Sequence, residues 1–100
     1  MAVLERIVGF EWDEANSRKS SDKHGVGQSE AEQVFLNEPL LFVADVRHSA
    51  AEDRFHALGR SDRGRLLHVT FTIRQEGTRI RIISARDMSR RERAHYAQEA

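Results

Sequence analysis

Cysteine is absent from the 100-residue sequence, proline occurs once, and there is no long apolar run. Without cysteine the chain has neither disulfides nor thiolate metal ligands, which fits a protein of the reducing cytoplasm. A membrane-spanning helix requires about 20 consecutive apolar residues. Charged Glu5 and Arg6 near the start argue against a signal peptide. These absences, together with the short length, predict one soluble, cytoplasmic domain spanning residues 1–100.

Lysine is also scarce, because 14 of the 16 basic residues are arginine. The net charge is zero, but residues 1–46 carry four basic and nine acidic side chains, whereas residues 47–100 carry twelve and seven. The C-terminal half is therefore basic. A guanidinium group offers phosphate a planar fork of donors. This pattern favours nucleic-acid binding, and the alternative is that the surface arginines only keep the protein soluble.

Capping signals predict two helices in the first half of the chain. Asp13 is expected to cap the first helix, and Gly25 suits the left-handed conformation that ends it. Ser29 and Glu32 have the spacing of a capping box, which would begin a second helix that ends before Pro39. Both predicted helices thus precede the main strand-forming region.

Strand-forming patterns occur at five places: Val3–Phe10, Leu41–Val46, Arg54–Leu58, Leu66–Arg74 and Arg79–Arg86. A turn is expected at 59–65 and a hairpin at Gly77, and a capping box of Ser89 and Glu92 begins a last helix. We predict an α+β domain with a small antiparallel sheet of about three to four strands, two N-terminal helices and one C-terminal helix.

The segment Leu66–Arg74 is the clearest strand, because apolar and polar residues alternate along it. The predicted apolar face consists of Leu67, Val69, Phe71 and Ile73, and the predicted polar face consists of His68, Thr70, Thr72 and Arg74. One side is expected to pack against the core, and the other is available to a ligand.

Five short blocks follow the order of one toxin family along nearly the whole chain. They are Phe10-Glu11-Trp12-Asp13, Lys23-His24-Gly25-Val26, Glu52-Asp53-Arg54-Phe55, the run from Arg79 to Arg86, and Arg90-Arg91-Glu92-Arg93 with Tyr96. In these blocks the sequence resembles the BrnT toxins. The resemblance implies a compact fold similar to that of RelE ribonucleases, an RNA-cleaving activity and an antitoxin of the BrnA type. Asn16 and Ser20 depart from the family pattern, in which lysine and asparagine often occupy these positions.

A ribonuclease that works without metal must deprotonate the 2′-hydroxyl, stabilise the phosphorane and protonate the departing 5′-oxygen. Arginine suits the second task. Arg74 and Arg86 end the two clearest strands, so we expect an antiparallel meander to bring both to one rim as catalytic phosphate clamps. The alternative is that Arg86 pairs with a carboxylate such as Glu92 and that Arg74 only terminates its strand.

Lys23 and His24 are the candidate proton-transfer residues, because histidine titrates near neutral pH. The alternative is that both only complement the negative end of the first helix. Tyr96 is a further candidate, either stacking on a splayed base or holding a phosphate through its hydroxyl. As an aromatic residue on an amphipathic helix, it could instead serve packing alone.

Further candidate RNA ligands are Arg54, Arg79, Arg81, Arg90 and Arg91. Arg90 and Arg91 lie in the first turn of the last helix, where each positive charge opposes the macrodipole at a cost of about 0.3–1 kcal/mol. RNA phosphate or an acidic partner would offset that cost. Arg54 follows Glu52 and Asp53, and the three form either a charged cluster or a solvated edge.

The sequence is thus interpreted as a metal-independent endoribonuclease that cleaves RNA by 2′-hydroxyl attack and inhibits translation, the toxin of a type II toxin–antitoxin system. No cofactor or metal is expected, since Glu92 and His95 at helical spacing have no matching ligand pair. The expected partner is a BrnA-like antitoxin with a ribbon-helix-helix fold. The alternatives are a non-catalytic nucleic-acid-binding module and a subunit whose basic surface docks an acidic partner.

Overall fold

A computed structural model describes residues 6–43 and 54–99, apart from the side chains of Lys19 and Ser20. The elements in chain order are β1 (Gly9–Trp12), α1 (Glu14–His24), α2 (Gln28–Gln33), β2 (Leu41–Val43), β3 (Phe55–Arg60), β4 (Leu66–Arg74), β5 (Arg79–Asp87) and α3 (Arg90–Glu99). Within the described ranges, no helix has the length and apolar character that crossing a membrane requires.

The five strands form one mixed sheet in the order β1-β5-β4-β3-β2. Strands β2 to β5 pair as an antiparallel meander, whereas β1 lies at the edge and runs parallel to β5. The α+β class and the two N-terminal helices and one C-terminal helix are confirmed, but the all-antiparallel sheet of three to four strands is wrong. The reason is that β1 pairs with the last strand instead of a neighbour in sequence, and the intervening chain supplies the long crossover that a parallel pair requires.

Two of the three helix signals of the first half are confirmed. The Asp13 carboxylate accepts hydrogen bonds from the backbone N–H groups of Ala15 and Asn16, at 2.9 and 3.3 Å. Gly25 ends α1 with a φ of +66°. The capping box of Ser29 and Glu32 is wrong, because α2 begins earlier, with Gly27 as its N-cap and no capping side chain. Glu32 instead accepts a hydrogen bond from the Trp12 indole at 2.8 Å.

The main core lies between α2 and one face of the sheet. Its buried members include Val26, Ala31, Val34, Ala57, Leu67, Val69, Phe71, Ile80, Ile82 and Ala85. Three of the four predicted apolar residues of β4 are buried there, and Ile73 packs against them, so the predicted face is confirmed. Gly59 allows the close approach of α2, since a Cβ at this position would lie 2.7 Å from Val34 Cγ1.

A β-bulge in β5 decides which side chains face the core. After Thr70 the register of β4 against β5 shifts by one residue, which leaves Ile83 as the extra residue. Strict alternation would give Arg86 the same face as buried Ile82. The bulge instead returns Ala85 to the core, where it is fully buried, and directs Arg86 to the opposite face.

Helix α3 covers part of that opposite face. A second apolar cluster joins the helix to the sheet, with Leu58, Met88 and Tyr96 buried and with Leu41 and Leu66 packed against them. The rest of this face carries polar side chains, so α3 and the sheet together frame a polar site.

Candidate functional site

Five polar side chains meet on the α3 face of the sheet. They are His56 of β3, His68 and Thr70 of β4, Arg86 of β5 and Glu92 of α3, which we call the His–Arg cluster. Strand register places His68 opposite Arg86 and His56 opposite Thr70. The cluster therefore depends on three adjacent strands and on the first turn of the helix that packs against them.

Arg86 and Glu92 form a two-pronged ion pair. Arg86 Nη1 donates to Glu92 Oε1 at 2.8 Å, and Nη2 donates to Oε2 at 3.0 Å. Glu92 also completes the predicted capping box of α3, since Oε1 accepts from the Ser89 backbone N–H at 2.9 Å and Ser89 Oγ accepts from the Glu92 N–H at 3.1 Å. The alternative pairing predicted for Arg86 is thus present, and the helix cap fixes the carboxylate that holds the guanidinium.

His68 connects this ion pair to His56. Its Nδ1 lies 2.7 Å from Glu92 Oε2 and 2.8 Å from Arg86 Nη2, and its Nε2 lies 3.0 Å from His56 Nδ1. Thr70 Oγ1 lies 3.0 Å from the same His56 nitrogen. The result is a continuous row of proton-carrying groups from a carboxylate to His56.

Two tautomer arrangements satisfy this row. When His68 donates from Nδ1 to Glu92, its Nε2 accepts from His56, and His56 Nε2 is left without a proton. When Arg86 donates to His68 Nδ1, His68 donates from Nε2 to His56, whose own Nε2 then carries the proton. His56 Nε2 is therefore a proton acceptor in the first arrangement and a hydrogen-bond donor in the second.

Burial and charge set the protonation of the two inner groups. Burial raises the pKa of Glu92, but hydrogen bonds from Arg86, the Ser89 backbone and His68 outweigh it and lower the pKa to about 2. Burial lowers the pKa of His68, and Arg86 and His56 add to that effect, although Glu92 opposes it. At neutral pH the cluster thus contains an ionised carboxylate beside a neutral imidazole.

These pKa shifts predict acid-sensitive stability. Both groups have a lower pKa in the folded protein than in the unfolded chain, so their stabilisation is complete at neutral pH and is lost on acidification. The His68 contribution should decline below about pH 6.5. The Glu92 contribution, at most about 3 kcal/mol, should disappear between its unfolded pKa of 4.5 and its folded pKa of about 2.

Denaturant unfolding measured from pH 7 to pH 2 tests this prediction. Glu92→Gln should weaken the pH dependence of the unfolding free energy at the acidic end of this range. His68→Asn should weaken it near neutral pH. Glu99→Gln, at an exposed position on the same helix, is the matched control and should leave the profile unchanged. A wild-type profile that Glu92→Gln does not alter would contradict the prediction.

A divalent cation does not fit the His–Arg cluster well. The Arg86 guanidinium lies within 3.0 Å of both His68 and Glu92 and carries a positive charge that would oppose the metal. Among residues 6–43 and 54–99, no three histidine, cysteine or acidic side chains are grouped as a metal would require.

The structure separates the two predicted phosphate clamps. Because β4 and β5 are antiparallel, Arg74 lies opposite Arg79 at the hairpin end, while Arg86 lies opposite His68. Arg74 and His68 are six residues apart on β4, or about 20 Å. The prediction that Arg74 and Arg86 share one rim is therefore wrong. In an antiparallel pair the C-terminal ends of two neighbouring strands lie at opposite ends of the sheet.

Lys23 and His24 lie in the last turn of α1, outside the His–Arg cluster. The His24 carbonyl accepts a hydrogen bond from Arg65 at 3.0 Å, and the charge of His24 helps to lower the pKa of Asp87, after the larger effects of Arg65 and Arg93. The Lys23 side chain is exposed. This placement matches the predicted alternative, in which the two residues complete a helix end.

Tyr96 belongs to the apolar cluster under α3. It is 6% exposed, and its hydroxyl donates to the Pro39 carbonyl at 2.6 Å. The same burial raises the pKa of Tyr96. The prediction that Tyr96 stacks on a base or binds phosphate is wrong, because its ring fills the space beside Leu58 and Met88 and its hydroxyl is already bonded.

The candidate RNA-binding arginines lie in several places. Arg90 and Arg91 are exposed in the first turn of α3, next to the His–Arg cluster. Arg81 is paired with Asp13 at 3.3 Å, and the half-buried Arg79 lies over Gly9 near the hairpin. Arg54 is exposed just before β3, and the rest of its predicted charged cluster, residues 52 and 53, lies outside the described residues.

Sequence reasoning missed His56 and His68 as site residues. Alternation in the sequence places His68 on the polar face of β4 together with Thr70, but His56 lies on a strand whose partner is not evident from sequence. Their proximity follows from the pairing of β3 with β4, in which His56 lies opposite Thr70, two residues from His68 on the same face of the sheet. A search for polar residues on the shared faces of adjacent strands could have found the pair.

Comparisons with known proteins agree on one family. The family model described as the ribonuclease toxin BrnT of type II toxin–antitoxin systems matches residues 12–92, which include the whole His–Arg cluster. The crystal structure of the Brucella abortus ribonuclease toxin BrnT, at 1.1 Å resolution, superposes with a TM-score of 0.61 over 83% of this chain and 99% of that one, at 21% identity. That likeness concerns the fold. Comparison with curated proteins gives no match.

Proposed function

Because the chain belongs to the BrnT family of ribonuclease toxins of type II toxin–antitoxin systems, we propose that it is a metal-independent endoribonuclease. In this proposal the 2′-hydroxyl attacks the adjacent phosphate, the bond to the 5′-oxygen breaks, and a 2′,3′-cyclic phosphate remains on the upstream fragment. The observation that carries the proposal is the row Glu92–His68–His56, which joins an ionised carboxylate to two imidazoles beside an arginine. The RelE-like character of the fold stays a prediction from the family resemblance.

His56 is the proposed proton-transfer residue. Its Nδ1 contacts His68 and Thr70, whereas His68 uses one ring nitrogen for His56 and the other for Glu92 and Arg86. In the first tautomer arrangement, His56 Nε2 accepts the proton of the 2′-hydroxyl, and the developing positive charge is stabilised through His68 by Glu92. The departing 5′-oxygen takes its proton from water or from His56 in a later step. His68 and Glu92 act as positioning residues.

Arg86 is the proposed stabiliser of the phosphorane. Its Nη groups are bonded within the site, to Glu92 and to the Asp87 carbonyl, so the guanidinium is held in one orientation. Its side chain nevertheless remains 37% exposed, and Nε is the nitrogen that these bonds do not use. A fixed, partly exposed positive charge beside the proton-transfer residue provides preorganised electrostatic stabilisation.

Incubation of the purified protein with RNA tests the proposal. Cleavage should persist in excess EDTA and should produce 2′,3′-cyclic phosphate ends, and a His56→Ala preparation made in the same way controls for contaminating nucleases. Loss of cleavage on chelation, with recovery on addition of magnesium or zinc, would contradict the mechanism. Retarded RNA without fragments would favour the non-catalytic binding module instead.

The partner implied by the family is an antitoxin, and we propose that it is a BrnA-like protein with a ribbon-helix-helix fold. The exposed Arg90 and Arg91 at the start of α3 support a partner with an acidic contact surface, because such a surface would offset the cost of two positive charges at the helix N-terminus. Co-expression of the neighbouring gene should restore growth, and the purified complex should not cut RNA. A complex that cleaves RNA at the rate of the free toxin would overturn this proposal.

A further inference from the structure

A cavity adjoins the His–Arg cluster on the α3 side. It has a volume of about 300 Å³ and is lined by Val43, Leu58, Arg91, Glu92 and His95. Glu92 is shared by the His–Arg cluster and the cavity. Its carboxylate binds Arg86 and His68, and its side chain forms part of the cavity wall. A group held in this cavity would therefore lie next to the proposed cleavage site.

The cavity has an apolar floor and a basic wall. Leu58 lies opposite His68 in the sheet and is 1% exposed, and Val43 of the edge strand is 37% exposed. On the opposite side α3 contributes Arg91 and His95, both exposed. Splayed bases of single-stranded RNA stack on aromatic rings or on arginine guanidinium planes, and Arg91 and His95 offer both kinds of surface here.

Arg91 is the obligatory hydrogen-bond donor of the wall. Arg91 is exposed in the cavity wall, and a guanidinium can only donate hydrogen bonds. The oxygens of Glu92 already accept hydrogen bonds from Arg86 and the Ser89 backbone, so the carboxylate offers little to a ligand. A base that fits this wall must present acceptors, and guanine presents two neighbouring ones, O6 and N7, to which arginine binds in bidentate fashion.

We infer that this cavity binds a guanine base of the nucleotide next to the scissile phosphate, with Arg91 as the residue that determines specificity. The inference rests on the proposed ribonuclease function, because it assigns the base preference of that same site. Adenine fits less well, since its N6 amino group would face the guanidinium donors in place of O6. His95 also lines this wall.

Mapping of cleavage sites in a random-sequence RNA tests the inference. Wild-type protein should cut next to guanine, and Arg91→Ala should reduce the ratio of cleavage at guanine to cleavage at adenine by about tenfold or more. Arg63→Ala removes an equal charge from an exposed turn and should keep the wild-type preference. A folded Arg91→Ala protein with an unchanged guanine preference, or a wild-type preference for another base, overturns the inference.

A binding measurement separates this inference from the ribonuclease proposal. Titration with 3′-GMP should shift the NMR signals of His95 and Leu58 in wild-type protein and much less in Arg91→Ala, and 3′-AMP should have a weaker effect. Such binding without RNA cleavage would support the guanine site and contradict the ribonuclease proposal. Cleavage without base preference, and without these shifts, would contradict the guanine site alone.

Discussion

Replacing Arg86 with alanine should lower the single-turnover rate of RNA cleavage about 100-fold, as expected for the loss of one electrostatic donor. RNA affinity should fall much less, because the proposed contact strengthens as charge develops in the transition state. Arg86→Lys should recover only part of the rate, since lysine keeps the charge but loses the planar fork that Glu92 holds. Single-turnover cleavage and RNA binding, measured side by side, check these expectations.

The same substitution should also reduce stability, which the sequence alone did not indicate. On the polar rim predicted from sequence, Arg86 would contribute little, but in the folded protein it is the main partner of a Glu92 side chain that is only 23% exposed. Leaving that carboxylate without its partner should cost about 1–3 kcal/mol. The double variant Arg86→Gln with Glu92→Gln removes both charges and should recover stability without recovering cleavage. Recovery of both would show that Arg86 serves only to pair with Glu92.

His56→Ala should decrease cleavage by about 100- to 10,000-fold, because it removes the group that exchanges a proton with the 2′-hydroxyl. Added imidazole should restore part of the rate by occupying the space of the missing ring. The measurement is the single-turnover rate with and without imidazole, with circular dichroism and thermal melting to confirm that the variant is folded. A folded variant that cuts RNA at the wild-type rate would remove His56 from the site.

His24→Ala provides the competing test, since the sequence favours His24 for the same role. The bond between Arg65 and His24 involves the backbone carbonyl of His24, which alanine keeps, and His24 lies outside the His–Arg cluster, so this substitution should have a much smaller effect on cleavage than His56→Ala. The opposite ranking of the two variants would place proton transfer at the end of α1 and would contradict the role of the His–Arg cluster.

Much of the local structure was predictable because it depends on nearby residues. Asp13 caps α1, Gly25 ends it, and Ser89 with Glu92 begins α3, each through contacts within a few residues. The site was less predictable, since a lone histidine on a strand has no partner that its neighbours in sequence reveal. Arg86 is predicted from sequence because it ends a strand, whereas its contact with His68 depends on strand pairing.

The sequence by itself determined the α+β class, the extent of most elements, the alternating faces of β4 and the family of the protein. Tertiary structure alone decided that β1 pairs in parallel with β5, that Arg74 and Arg86 lie at opposite ends of the sheet, and that His56 lies near His68. The physical reason is that periodicity and capping are local properties, whereas register is a property of two strands together. A single bulged residue, Ile83, reverses the direction of every side chain that follows it in β5, and this reversal places Arg86 beside His68 and Glu92.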